Sequence, residues 1–134
     1  MNVNLTSEVL WLLMTILMTA LMWVPYILNR IVELGVVPAF MDPYGHTKAK
    51  ALWANRMMAA HVNAVENLVL FAPLVLLVFV LNAGTESTVL ATQVYFFARL
   101  AHFLLFTFAV PLLRIVSFLV GFAAQMVLLL ALIV

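Results

Sequence analysis

The sequence predicts an all-α integral membrane protein, a bundle of four membrane-spanning helices in one domain. Hydrophobic residues make up 68% of the 134 residues and charged residues only 8%, whereas soluble globular proteins have about 45–50% and about 25%. A soluble domain of this size buries only about two-thirds of the surface that its unfolded chain exposes. The lipid bilayer is therefore the expected solvent, and a soluble enzyme or a disordered chain is excluded.

Charge and residue usage exclude further classes. The net charge of +1 provides no basic surface that would attract a nucleic acid. The chain has no cysteine, which excludes disulfides, thiolate metal sites and a cysteine nucleophile. Its three histidines do not cluster in the sequence, so we expect no metal cofactor.

The first two apolar stretches predict the first two spans. The first span, expected over 8–29, contains 21 uncharged residues from Val9 to Asn29, enough to cross a hydrocarbon core that needs about 20. We expect it to be retained, because no basic region precedes it as in a signal peptide. The second span is expected over 47–83. A helix of that length would measure about 55 Å, so its first turns would project from the membrane, and Pro73 would kink it.

The remaining chain predicts two more spans and short connections. The third and fourth spans are expected over 87–110 and 111–134, divided at Pro111, because proline favours the first turn of a helix. The only extended polar connection lies between the first two spans. It contains Asp42-Pro43-Tyr44-Gly45, a composition typical of a turn.

The cationic residues predict the orientation of the bundle. Arg30, Lys48, Lys50 and Arg56 flank or fill the first connection, and Arg114 follows the third. Since cytoplasmic connections of membrane proteins carry the excess of Lys and Arg, both of these connections are expected in the cytoplasm. Both termini then lie on the non-cytoplasmic side.

Polar side chains line one face of each predicted span when successive residues are placed 100° apart. Asn63 lies on a face of the second span with Arg56, and Glu66 lies 80° to one side. Arg99 and His102 share a face of the third span. Ionisable groups in a span require a partner or a water-filled cavity. The ionic groups therefore either pair with one another and fix the bundle, or line a site for an anionic or polar ligand that opens to the cytoplasm.

The uncharged polar residues in the spans have a simpler interpretation. We expect interhelical hydrogen bonds from Thr15, Thr19, Ser117 and Gln125, which would hold the helices together. His61 points about 140° away from the other polar residues of its helix. We expect it to form a helix contact rather than to act as a catalyst.

Several segments resemble one known family. The segment RMMAAHVNAVEN at 56–67, followed by FAP at 71–73, is similar to the second-helix signature of the MAPEG proteins (membrane-associated proteins in eicosanoid and glutathione metabolism). The run FARLAH at 97–102, the run PLLR at 111–114 and the segment 29–43 are also similar to members of that family. The resemblance covers nearly the whole chain, and bacterial members have a similar first connection.

The resemblance implies a homotrimer in a membrane, with active sites between subunits near the cytoplasmic face. The brevity of the chain indicates that this membrane is the bacterial inner membrane. Its co-substrate would be glutathione, and its other partners would be membrane lipid and a lipophilic small molecule. Members of the family conjugate glutathione to lipophilic electrophiles or use it to reduce lipid hydroperoxides.

The resemblance also implies roles for individual residues. Arg114 would be the catalytic residue, because a guanidinium near the glutathione sulfur favours the thiolate. Asn63 and Glu66 would contact the polar ends of glutathione, and Arg99 and His102 would shape the site. The residues assigned to glutathione binding are Arg30, Arg56, Asn63, Glu66, Arg99 and His102.

The chain departs from the family pattern at three positions, and these departures keep alternatives open. Ala59 stands where glutathione-using members usually carry an arginine, and Phe106 and Phe118 stand where an aromatic hydroxyl is common. One alternative is a MAPEG-fold membrane protein that binds or scaffolds without glutathione chemistry. Another is a small multidrug exporter, but exporters of that class protonate a glutamate within the first helix, and here no acid lies between Glu8 and Glu33.

The orientation can be tested with reporter fusions at Val134. A periplasmic reporter should be active and a cytoplasmic reporter silent, because the Lys and Arg bias places the C-terminus outside the cytoplasm. Activity of the cytoplasmic reporter alone would contradict this orientation.

Overall fold

The computed structural model describes residues 4–42 and 48–134, and all regular secondary structure within these ranges is helical. The helices are α1 (Ser7–Leu21), α2 (Val24–Leu34), α3 (Val36–Met41), α4 (Leu52–Val80), α5 (Glu86–Thr107) and α6 (Pro111–Ile133). Four helical stretches are long and apolar enough to span a membrane: Ser7–Leu34, Leu52–Val80, Glu86–Thr107 and Pro111–Ile133. The chain is thus an all-α membrane bundle, and the predicted fold class is confirmed.

The second span is shorter than predicted. Helix α4 contains 29 residues, about 44 Å at 1.5 Å per residue, and it starts at Leu52. The preceding backbone is held in a non-helical form, because the Asn55 side chain accepts from the Ala49 N–H (3.0 Å) and donates to its carbonyl (2.8 Å). At the other end, Asn82 adopts a left-handed φ of 52°, which ends a helix. Residues 43–47, including Thr47 and most of the predicted turn, lie outside the described residues.

The first span is interrupted, which the sequence analysis did not predict. Helix α1 ends at Leu21 and α2 begins at Val24, with Pro25 in its first turn. A proline has no N–H for the carbonyl of the preceding turn, so a continuous helix would lose a hydrogen bond there. His61 of α4 lies beside this interruption, and its Nδ1 is 2.7 Å from the Tyr26 hydroxyl. His61 is therefore a helix contact in the structure, as expected.

The first connection also contains structure that was not predicted. Gly35 separates α2 from α3 with a φ of 86°, a conformation that glycine adopts without steric cost. Beyond α3, Asp42 forms an ion pair with Arg30. Glu33 accepts hydrogen bonds from the N–H groups of Lys50 (2.9 Å) and Ala51 (3.0 Å). These contacts tie the connection back to the end of the first span.

The bundle core holds α5 between the other helices. Phe71 of α4 stacks on Tyr95 of α5 with ring centroids 3.7 Å apart, and both side chains are buried. Helices α5 and α6 approach closely at Gly121, where a Cβ atom would lie 3.8 Å from the Ala98 Cβ. This close approach places the polar face of α5 inside the bundle.

The expectation of interhelical hydrogen bonds is wrong for the three hydroxyl residues among the four positions and correct for Gln125. Thr15 and Thr19 each donate to the carbonyl four residues earlier (2.8 Å), and Ser117 donates to the Arg114 carbonyl (2.9 Å). A helical Ser or Thr can satisfy its own hydroxyl in this way without a neighbouring helix. Gln125 does join two helices, because its Nε2 donates to the Asn67 carbonyl of α4 (3.0 Å).

Candidate functional site

Arg99 lies at the centre of the candidate site. Its side chain is only 2% exposed, and its Nη2 donates to the Asn63 Oδ1 of α4 over 2.5 Å. Gly121 provides the space for the arginine, since a Cβ there would come within 3.4 Å of the Arg99 Cδ. Among residues 4–42 and 48–134, no carboxylate forms an ion pair with Arg99. The structure therefore buries a cation whose bonded protein partner is a neutral amide.

A chain of amides holds Asn63 in place. Asn67, one turn along α4, donates through Nδ2 to the Asn63 carbonyl (2.8 Å) and more weakly to its Oδ1 (3.4 Å). Gln125 of α6 in turn bonds the Asn67 carbonyl. Since these bonds link α4, α5 and α6, the position of the Arg99 guanidinium is fixed by three helices.

His102 and two phenylalanines continue the site toward the start of α6. The His102 ring lies 5.7 Å from the Phe106 ring and 5.8 Å from the Phe118 ring. The guanidinium of Arg99 is 5.8 Å from the Phe118 centroid, and that of Arg114 is 5.0 Å from the Phe106 centroid. Each guanidinium thus lies over an aromatic ring, an arrangement that attracts a cation. His102 lies beside both rings.

Several buried polar atoms of this region lack a hydrogen-bond partner within the described part of the chain. They are the Tyr95 hydroxyl, Arg99 Nε, His102 Nδ1 and Gln125 Oε1. More than about 90% of buried polar groups in proteins are hydrogen-bonded, to protein or to ordered water. The Tyr95 hydroxyl and the Gln125 side chain nevertheless interact with each other. The Arg99 Nε–H is therefore the clear donor that no described residue satisfies, and an anionic or polar ligand would satisfy it.

The structure brings together some of the predicted site residues and separates others. Asn63 bonds Arg99, Phe118 lies beside both Arg99 and His102, and Phe106 lies beside both His102 and Arg114. Arg56 instead donates from Nε to the Thr107 carbonyl (2.7 Å), at the C-terminal end of α5.

Two predicted residues lie apart from this group within the single chain. Arg30 pairs with Asp42 after α3. Glu66 is exposed on the surface of α4 that points away from the bundle. Neither contacts Arg99 or His102, so a shared site would require a second chain.

The sequence analysis missed an apolar groove beside the candidate site. It lies on the outer surface between α5 and α6, has a volume of about 460 Å³ and is lined by Leu90, Gln93, Val94, Phe97, Ala98, Ala101, Ser117 and Val120. Ser117 lies one turn beyond Arg114, so this end of the groove lies near Arg114. Small residues recur in the sequences of both helices, but the distance between the helices decides whether such residues form a groove or a close contact. The sequence alone therefore did not reveal the groove.

The fold and the site define the class of the protein: a multi-pass membrane bundle with one buried arginine, Arg99, and the partly buried Arg114 toward the same end. The sequence matches the MAPEG family over residues 9–134, nearly the whole chain, so the protein belongs to that family. A search of curated proteins and a search of solved structures each gave no match.

The Arg99–Asn63 bond can be tested by a double-mutant cycle. Replacing Asn63 by Ala should lower the free energy of unfolding in mixed micelles by about 1.5–3 kcal/mol, the range for a hydrogen bond to a charged group. Most of that loss should disappear when Arg99 is already Met, because the cation that needs the amide is then gone. The exposed neighbour Val62→Ala serves as the control, and equal losses in both backgrounds would contradict the coupling.

Proposed function

We propose that the protein is a glutathione-dependent membrane enzyme that acts on a lipophilic electrophile or hydroperoxide. The observation that carries the proposal is the set of cations without carboxylate partners. Within the described residues, Arg56, Arg99 and Arg114 form no ion pair. Glutathione brings two carboxylates and one ammonium group, so its net negative charge matches this surplus.

Arg99 and Asn63 form the binding part of the proposed site. The Nε of Arg99 is buried and has no protein partner among the described residues, so a carboxylate that reached it would satisfy its N–H, and charge-assisted bonds of this kind are about twice as strong as neutral ones. Asn63 already uses its Oδ1 toward Arg99, which leaves its amide nitrogen as a donor. The two residues together would hold one polar end of the tripeptide.

Arg114 forms the reactive part of the proposed site. Its position in the first turn of α6 places a cation at the positive end of the helix macrodipole, which is unfavourable by about 0.3–1 kcal/mol. A bound thiolate would offset that repulsion. The thiolate could then attack an electrophilic carbon, forming a C–S bond as the leaving group of that carbon departs. With a hydroperoxide it would attack the terminal oxygen, which breaks the O–O bond, releases the alcohol after protonation and leaves glutathione sulfenic acid. A second glutathione would then reduce the sulfenic acid to the disulfide with release of water.

The groove between α5 and α6 fits the lipophilic co-substrate. It opens on the lipid-facing surface and has predominantly apolar walls. A hydrophobic molecule dissolved in the bilayer could enter it without passing through water, since it would remain in contact with apolar side chains throughout. Its end near Ser117 would bring the reactive group toward Arg114.

The proposed site is completed by further copies of the chain, which we propose form a homotrimer. Exposed residues of α4 recur at alternating spacings of three and four, at Ala59, Val62, Glu66, Val69, Pro73, Leu76 and Val80. These residues are here called the α4 seam. Their spacing is the pattern of helices that pack along a shared axis. Glu66 in that seam would be costly if it faced lipid, by about 2.5–3.5 kcal/mol at the centre of a helix.

A non-enzymatic role is supported by the aromatic residues of the site. Phe106 and Phe118 contact His102 and the two arginines but offer no hydroxyl to the sulfur. Ala59 is exposed and provides no cation. A MAPEG-fold protein that binds an anionic amphiphile without thiol chemistry would retain the same arginines.

Arg114→Lys separates these two functions. If Arg114 holds the sulfur, adding millimolar glutathione to the wild type should produce ultraviolet thiolate absorbance. The thiolate absorbance of the Lys variant should be roughly tenfold lower than that of the wild type, because an ammonium lacks the planar fork of the guanidinium. The variant should keep its fold and assembly. Lys48→Arg, an exposed exchange of the same two residue types, serves as the control. A wild type without a thiolate signal would refute the enzymatic proposal and favour the non-enzymatic role.

The assembly is tested by the detergent-corrected mass of the purified complex. We expect three chains for the wild type. Val69→Trp should give smaller species, because the larger side chain would disrupt the α4 seam. Leu119→Trp, at an exposed position of α6, should leave the mass unchanged. A single-chain mass for the wild type would contradict the proposal.

A further inference from the structure

A polar pocket, separate from the apolar groove, lies at the opposite end of the bundle from Arg114. It has a volume of about 220 Å³ and is lined by Thr6, Glu8, Val78, Phe79, Asn82 and Gly84. We call it the Glu8 pocket. Thr6 and Asn82 are exposed, so the pocket opens to the surface where α1 and α5 begin and α4 ends.

Glu8 is the buried acid of this pocket. Its side chain is only 5% exposed, although an acid at the end of a membrane span could easily have reached water. The α4–α5 connection packs closely against the Glu8 side chain, since a Cβ on Gly84 would lie 2.9 Å from the Glu8 Oε1. The packing of the connection therefore keeps the carboxylate inside.

The protein provides the Glu8 carboxylate with few hydrogen bonds to offset the cost of its burial. Thr88 lies 2.7 Å from the Glu8 Oε1, but the same hydroxyl also lies 2.8 Å from the Thr85 carbonyl. A hydroxyl has one proton, so these two acceptors compete for it. The second oxygen, Oε2, has no hydrogen-bond partner among residues 4–42 and 48–134.

The charge around the pocket is also negative. Within 4–12, 75–92 and 124–134, which form this end of the bundle, the charged side chains are Glu8 and the exposed Glu86. The N-termini of α1 and α5 carry partial positive charge and offset the charge of the carboxylate only in part. The carbonyl end of α4, which carries a partial negative charge, meets the pocket at Phe79 and Asn82.

We propose that the Glu8 pocket binds an alkali-metal cation, with the Glu8 carboxylate as its anionic ligand. The pocket lining offers one carboxylate together with the neutral side-chain oxygens of Thr6 and Asn82, a set that suits a monovalent ion. A calcium ion takes six to eight oxygen ligands, several of them usually carboxylates. The pocket is large enough for the ion to keep some of its water, whose share of volume is about 30 Å³ per molecule. This proposal is independent of the glutathione site.

The experiment measures thermal unfolding of the full-length detergent-solubilised protein in sodium, potassium and choline chloride at equal ionic strength. A ligand that binds only the folded state raises its stability, so the wild type should unfold several degrees higher in sodium or potassium than in choline, with saturation. Glu8→Gln should abolish the difference, and Glu86→Gln, the exposed acid at the same end, should retain it. Equal unfolding temperatures of the wild type in all three salts would overturn the proposal, as would equal losses in the two variants.

A second variant and a direct measurement protect the test against misfolding of Glu8→Gln. Asn82→Gly removes the amide while keeping the left-handed conformation, which glycine adopts readily, and should reduce the salt response. Wild-type protein should also bind radioactive sodium or rubidium, the latter as a substitute for potassium, saturably at one ion per chain. Absence of saturable binding of both ions would refute the site even if no variant folds.

Discussion

The guanidinium of Arg99 cannot lose its proton under physiological conditions, and it lies inside a bundle that spans a membrane. Every group around it is constrained by that charge. Gly121 leaves room for the side chain, Asn63 accepts one of its N–H groups, and Phe118 presents its aromatic face. The cost of burying an unpaired charge falls only if each of these contacts is kept, so the cation sets how α4, α5 and α6 pack.

This constraint also connects the single chain to its proposed assembly. The residues that contact Arg99 come from within one bundle, whereas Glu66 points outward from the same helix that supplies Asn63. A helix that presents an amide inward and an acid outward can serve two bundles at once.

Helical spacing predicted a large part of the site because it depends only on the sequence. Arg99 and His102 were expected on one face, and the structure buries both together with Tyr95. The interruption at Pro25 was missed because the apolar run continues through it. The burial of Glu8 was missed because an acid at the end of a span normally reaches water, and only the packing of Gly84 and Thr88 prevents this.

Arg56 shows how such a structure affects the interpretation of loss-of-function alleles. Its Nε holds the carbonyl of Thr107, the last residue of α5, just before the chain turns into α6. A substitution at Arg56 would release that end, and the first turn of α6 would be free to shift together with Arg114. A genetic screen would then recover Arg56 among the inactive mutants because of this structural bond, in addition to any contact of its own with glutathione. Such an allele would report the alignment of two helices, and a compensating change near Thr107 could restore it.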